Sequence, residues 1–153
     1  MAVSTYRVTA SSNAPPETVF AVLADATRWR EWAGPMISVS DWEREGDPAP
    51  GGVGAIRRLG RTPLFAREQI VEYEPPRHLA YTILTGIPVR GYHADIDLLP
   101  ERERTTIRWS GAFEPCVPGS GAVFAALLGR TVRGYARAAA AEAERRVRRN
   151  VVA

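Results

Sequence analysis

GAVFAALLGRTVRGYARAAAAEAERRVRR, running from Gly121 to Arg149, is the stretch whose reading decides the fold. Phe124, Leu127, Leu128, Thr131, Tyr135, Ala138, Ala139 and Ala143 recur at helical spacing and form one apolar stripe. Arg130, Arg133, Arg137, Glu142, Arg145 and Arg148 fall mostly off it. The stripe is bulky at its start and almost pure alanine at its end. Such a helix suits a curved sheet: the alanine half approaches the strands closely, and the Phe/Leu/Tyr half stands away and can wall a cavity.

Upstream, the chain reads as strands. Val3–Ala10 alternates, with Tyr6, Val8 and Ala10 on the buried side. Pro16 suits the first turn of a short helix over Glu17–Ala24, because its missing N–H has no partner to lose there. Asp25 can cap a second short turn at Arg28–Trp32. Strands are then expected at Ile37–Arg44, Val53–Gly60, Leu64–Glu74, Leu79–Leu84, Val89–Leu99 and Thr105–Glu114. Turns rich in Gly and Pro separate them, as in Gly60-Arg-Thr-Pro63 and Pro75-Pro76. Short connections between successive strands imply an antiparallel meander, and the terminal helix is the one large element left to cover its apolar face.

With 153 residues, 45% hydrophobic and 24% charged, the chain is long enough to bury a core and is expected to form one domain over residues 1–153. No apolar run reaches the ~18 residues of a membrane span, and Met1–Ser12 lacks the apolar region of a signal peptide. No membrane span is therefore expected, and a cytoplasmic location is. Cys116 is the only cysteine, which rules out an intrachain disulfide. All 20 basic residues are arginine, so lysine Schiff-base chemistry is excluded. A net charge of +3 does not argue for nucleic acid unless the arginines gather on one face, and no nucleic-acid partner is expected.

Three stretches carry a family resemblance. Thr18-Val-Phe-Ala-Val-Leu-Ala-Asp-Ala-Thr-Arg-Trp-Arg-Glu-Trp32 is similar to the helix–turn–helix opening of the polyketide cyclase/dehydrase and lipid-transport family. Glu72-Tyr-Glu-Pro-Pro-Arg-His-Leu-Ala-Tyr81 resembles that family's turn between its fourth and fifth strands. Trp109-Ser-Gly-Ala-Phe113, a Pro/Gly loop and a long helix resemble its ending. This is the wider SRPBCC group, which also holds START domains. The resemblance implies an α+β helix-grip fold: a curved seven-stranded antiparallel sheet wrapped around a long C-terminal helix, two short helices after the first strand, and a cavity between sheet and helix. It specifies function poorly, because one fold hosts many activities.

Strand alternation then nominates the residues that would bind a ligand. Tyr81 and Ile83 come from the fifth expected strand, Arg90, Tyr92, Ala94 and Ile96 from the sixth, and Trp109 and Phe113 from the last. Phe124, Leu127, Leu128 and Tyr135 come from the long helix, and Trp32 from the short ones. Several aromatic rings suit a flat or polycyclic hydrophobic ligand. Arg90 shares strand phase with Tyr92, and a guanidinium inside an apolar pocket needs an acceptor. A bulge would exchange that pair for Val89, Gly91 and His93.

The catalytic candidates are Arg90, Tyr92 and His93, although His93 shares phase with Asp95 and Asp97 and so points outward. His78 reads as an exposed turn residue, and Glu68 and Glu72 as solvated strand charges. The two histidines, fifteen positions apart, lack the spacing of a metal site, so no metal and no other cofactor are expected.

Three functional readings remain. The first is a binding protein for a hydrophobic small molecule, aromatic, polyketide or lipid-like. The second is a polyketide aromatic cyclase or dehydratase working through Arg, Tyr and His in the cavity. The third is a protein-interaction module. A monomer or homodimer fits each of them.

Overall fold

A computed structural model describes residues 2–152. The elements run β1 (Ser4–Ser12), α1 (Pro16–Ala24), a 3-10 turn (Ala26–Arg28), α2 (Trp29–Trp32), β2 (Val39–Arg44), β3 (Ile56–Arg61), β4 (Leu64–Glu74), β5 (His78–Thr85), β6 (Val89–Glu101), β7 (Arg104–Pro115) and α3 (Gly121–Val152). One seven-stranded antiparallel sheet has the order β1-β7-β6-β5-β4-β3-β2. This is the helix-grip architecture. β2 and β3 begin later than the sequence indicates, because Ile37 and Val53–Ala55 lie in the approach loops.

Register irregularities fall between Trp42 and Arg44, Arg67 and Glu68, Ile70 and Glu72, and Arg90 and His93. Each bends its strand and changes which side chains face inward. The inner face is mostly apolar, with Tyr6, Val8, Leu59, Ile70, Leu79, Ile96 and Ile107 all buried.

α3 lies on this face against β1, α1 and β7. Its buried arc is Val132, Ala136, Ala139, Ala140 and Ala143, with Phe124, Ala125, Leu128, Tyr135 and Ala138 half-buried beside it. The arc is rotated from the stripe read in the sequence: Leu127 is 57% exposed, and Thr131 faces solvent. The reason is close approach to the edge strand. Gly129, where an added Cβ would stand 3.4 Å from the Tyr6 Cβ, and the small residues around it turn toward β1, which swings Leu127 outward. Ser12 Oγ donates to the Ala140 carbonyl at 2.9 Å, and the Asn13 N–H donates to Glu144 Oε1 at 2.8 Å. Glu142, read as off the stripe, is buried and ties down Arg145, Arg146 and Arg149.

Asp25 caps the 3-10 turn by accepting from the Thr27 N–H at 3.0 Å. α1 ends facing the interior, and its Leu23 carbonyl, one of the acceptors every helix C-terminus leaves open, is used twice. Trp29 Nε1 and Arg57 Nη1 both donate to it, each at 3.0 Å.

Candidate functional site

The interior beneath α1 and α2 holds a charge pair walled by aromatic rings. The hairpin β3–β4 creates it. With Arg61 opposite Leu64, the register brings Arg57 opposite Glu68, both facing inward. Arg57 Nε donates to Glu68 Oε1 at 2.9 Å, and the two side chains are 0% and 11% exposed. The guanidinium carbon sits 4.9 Å from the Trp29 ring centroid and 5.1 Å from that of Tyr81, a cation–π sandwich in a desolvated setting. Arg57 also meets the carbonyl end of α1, whose partial negative charge favours a cation. Burial pushes the Glu68 carboxyl up from its ordinary value, against the pull of Arg57.

Two donors in this region have no partner within the protein: Arg57 Nη2 and Trp32 Nε1 are both buried and unbonded among the described residues. Buried N–H groups are nearly always satisfied, and an ordered water or a ligand oxygen could serve either of these two.

Beside the charge pair runs a chain of phenols. Tyr6 and Tyr92 hydroxyls are hydrogen-bonded, and Trp109 Nε1 donates to the Tyr81 hydroxyl at 3.1 Å. Gly111 makes this possible: it faces Tyr6 across the β1–β7 pair, and any Cβ there would overlap the Tyr6 ring. Desolvation raises all three phenols. Tyr92 is pushed up to about 12, partly offset by its hydrogen bonds to Tyr6 and Tyr81. Tyr6 and Tyr81 go further in the same direction. Ring-to-ring contacts continue through Tyr81–Trp109, Tyr92–Phe113, Trp29–Trp109 and Trp29–Tyr135, with centroids 5.6 to 6.4 Å apart.

The structure brings most of the nominated residues together here. Trp32, Tyr81, Tyr92, Ala94, Ile96, Trp109 and Phe113 are buried in one cluster, with Ile83, Phe124, Leu128 and Tyr135 half-buried against it. Arg90 and Leu127 are not among them. Arg90 is exposed because two residues, Gly91 and Tyr92, stand opposite Phe113, with Gly91 in the left-handed region at φ 61°. That bulge keeps Tyr92 inside and turns Arg90 out, separating a pair that plain alternation joins. His93 is on the outer face, as its phase implies.

Sequence reasoning missed Arg57, Trp29 and Tyr6, and read the buried Glu68 as solvated. A signal for the charge pair was present: Arg57 shares phase with Ala55 and Leu59, and the tight turn at Thr62-Pro63 sets it opposite Glu68.

Two further features lie outside the interior. Between β1 and α3 runs a groove of about 690 Å³ with Arg7, Arg130, Arg133 and Arg137 in its walls, so four arginines do gather on one side. On the outer sheet face, His78 opens β5 half-buried, and is not an exposed turn residue. Its Nδ1 lies 2.8 Å from Asp97 Oδ1 and its Nε2 2.9 Å from Glu72 Oε2. Burial of the ring favours the neutral form, but these two contacts outweigh it and raise the imidazole above its ordinary value.

With this geometry in view, the comparisons with known proteins are informative. The family model described as polyketide cyclase / dehydrase and lipid transport matches residues 4–148. The chain belongs to this family. Among solved structures, the aromatase/cyclase ZhuI from Streptomyces sp. R1128 aligns with TM-score 0.77 at 21% identity, covering 95% of this chain and 96% of that one. A START superfamily protein from Mycobacterium smegmatis aligns with TM-score 0.77 at 15% identity, covering 93% and 98%. The di-domain aromatase/cyclase StfQ of the steffimycin biosynthetic pathway aligns with TM-score 0.74 at 16% identity, covering 95% of this chain and 52% of that one. At such identities the likeness establishes the shared fold. No curated protein matches the sequence. Among the described residues no helix is long and apolar enough to cross a membrane.

Proposed function

We propose that this family member binds a hydrophobic, oxygen-bearing small molecule, aromatic, polyketide-like or lipid-like, between the sheet and α3. One observation carries the reading: Arg57 lies fully buried between two aromatic rings with one N–H pair unused. A ligand carbonyl, enolate or carboxylate is the acceptor that such a group lacks. Trp32 Nε1 offers a second donor nearby in the fold, and the phenols of Tyr81 and Tyr92 add polarity to an otherwise apolar wall.

Access fits the end of the sheet where the β3–β4, β5–β6 and β7–α3 connections gather. Leu64, Leu84, Val117, Val123 and Leu127, at that end, are all exposed apolar side chains. Single exposed leucines mean little, but a rim of them at one mouth suits passage of a greasy guest. The bulky first turns of α3, half-buried at Phe124 and Leu128, are the part that would yield to admit it.

Catalysis as a cyclase or dehydratase is the second reading, favoured by the Arg57–Glu68 pair. A guanidinium can polarise a carbonyl, and a carboxyl whose basicity burial has raised can take an α-proton. In that case Tyr92 keeps a role beside them, and the solvent-facing Arg90 and His93 have none.

Titration with naphthol-, anthraquinone- and fatty-acid-type ligands, followed by tryptophan fluorescence and thermal shift, tests the binding reading. Saturable quenching of the buried tryptophans with a rise in melting temperature is expected, weakened in Tyr92→Phe. If every compound left both signals unmoved, the interior would be packing and nothing more. Turnover of a poly-β-ketone lost in Glu68→Gln with binding retained would establish the catalytic reading.

A further inference from the structure

The outer face of the sheet carries a second constellation, on the side opposite the aromatic interior and independent of the function proposed for it. Three neighbouring strands build it. Glu72 of β4, Ala80 of β5 and Asp95 of β6 lie side by side in register, and Glu74, His78 and Asp97 form the adjacent row. The irregularity between Ile70 and Glu72 is what lets Ile70 point inward while Glu72 points out. Ala80, fully buried, puts only a methyl group beneath the cluster, so the His78 ring can lean over it between the two carboxylates.

There, His78 Nε2 is 2.9 Å from Glu72 Oε2 and 3.6 Å from Asp95 Oδ1, and the three donor atoms all fall within 4.8 Å of one another. At its other nitrogen the ring meets Asp97 Oδ1 at 2.8 Å. An ionised carboxylate only accepts, so Asp97 takes the Nδ1–H; Nε2 faces two further carboxylates, to which it donates when protonated and beside which it offers a lone pair to a metal when not. With Nε2 free of a proton, three electron-rich donors converge on one point, and a metal cation there would take the place of the proton that otherwise bridges them.

We propose that Glu72, His78 and Asp95 form a mononuclear site for a divalent transition metal of the zinc class, with Asp97 as the outer carboxylate that orients the imidazole. Zinc bonds of about 2.0–2.2 Å to N and O in a tetrahedron separate neighbouring donors by roughly 3.4 Å. The 2.9 and 3.6 Å spacings at His78 bracket that value. The carboxylate–histidine–metal arrangement is the usual support for a ligating ring. One nitrogen and two oxygens suit zinc-class ions, whereas Mg²⁺ prefers an all-oxygen octahedron. Three protein donors leave one position for water, and the ion would pin β4, β5 and β6 together across their outer face. The sequence concealed the site because its three ligands come from three strands with no shared spacing.

The test uses the untagged full chain, stripped of metal with a chelator and titrated with Zn²⁺ alone by calorimetry and by competition with a chromophoric chelator. One equivalent should bind and raise the melting temperature. His78→Gln and Glu72→Gln/Asp95→Asn should each weaken binding by at least about tenfold, Asp97→Asn by about tenfold, and His93→Gln little. All these residues sit on the outer face, and circular dichroism of each variant checks that the fold is intact. Co²⁺ should give the intense visible bands of a low-symmetry tetrahedral site, lost in His78→Gln. No stoichiometric uptake of Zn²⁺, equal uptake by His78→Gln, or equal affinity for Mg²⁺ would each overturn the proposal and leave the cluster an imidazolium bridging carboxylates.

Discussion

Replacing Arg57 by methionine asks how the buried charge pair is held. Methionine keeps much of the stem's volume between Trp29 and Tyr81 while removing the charge and the hydrogen bonds to Glu68 and the Leu23 carbonyl. With the pair 0% and 11% exposed, solvent screens little, and the remaining carboxylate is left inside without a counter-ion. Removing one partner of such a pair costs about 3–5 kcal/mol. For a chain of this length, that lowers the melting temperature by roughly 6–20 °C.

The loss should depend on pH, with a definite sign. The folded-state value of Glu68 lies above its unfolded one, so its contribution is fully present below the unfolded value and is lost as pH rises through the folded value. Without Arg57 the folded value climbs further. Over the window between the parent's folded value and the variant's higher one, Arg57→Met should therefore lose up to about 1.4 kcal/mol per pH unit relative to the parent. Urea denaturation followed by circular dichroism at about pH 5.5 and about pH 7.5 reads this out, and Arg57→Met/Glu68→Gln should recover much of the deficit at the higher pH. A loss below about 0.5 kcal/mol at the higher pH, the size of an ordinary surface substitution, would refute the reasoning. So would a loss of the same size at both pH values.

Two other outcomes follow from the phenol chain. Gly111→Ala places a methyl group against the Tyr6 ring, which must give way; overpacking of this kind costs about 1–3 kcal/mol, and a changed near-ultraviolet circular dichroism with lower stability is expected. Unchanged spectra and stability would mean the ring has room that its packing denies. In alkali, Tyr6, Tyr81 and Tyr92 keep their protons in the folded state well beyond the ordinary value of about 10. Raised folded-state values mean that stability is lost as pH climbs above the unfolded value, so phenolate absorbance of these three should appear together with unfolding between about 10 and about 12. Smooth ionisation of all five tyrosines near 10 with the fold intact would contradict it.

The local patterns were readable because they depend on near neighbours. Alternation marked Tyr81, Tyr92, Ala94, Ile96, Trp109 and Phe113 as inward, and they are buried. Short turns implied the meander, and β4 was bounded to the residue at Leu64 and Glu74. The family resemblance supplied the grip of sheet on helix.

What alternation could not carry was any position where the strand slips by one residue. The bulge at Gly91 sent Arg90 outward and so removed the favoured guanidinium from the interior. The guanidinium that does lie there, Arg57, comes from a strand read only as half of a hairpin. Its burial depends on contacts with Leu23, Glu68, Trp29 and Tyr81, which come from four different elements. The rotation of α3 likewise followed from its seat on β1, since a helix with small residues on two adjoining faces has no internal preference for either.

The order and kind of the elements were thus set by the sequence itself, because hydrophobic period and turn chemistry act over a few residues. Which charges are buried, and which donors converge on the outer face, was decided only when strands distant in the chain came into register. Desolvation and ion pairing are properties of those assembled neighbours, and no single segment holds them.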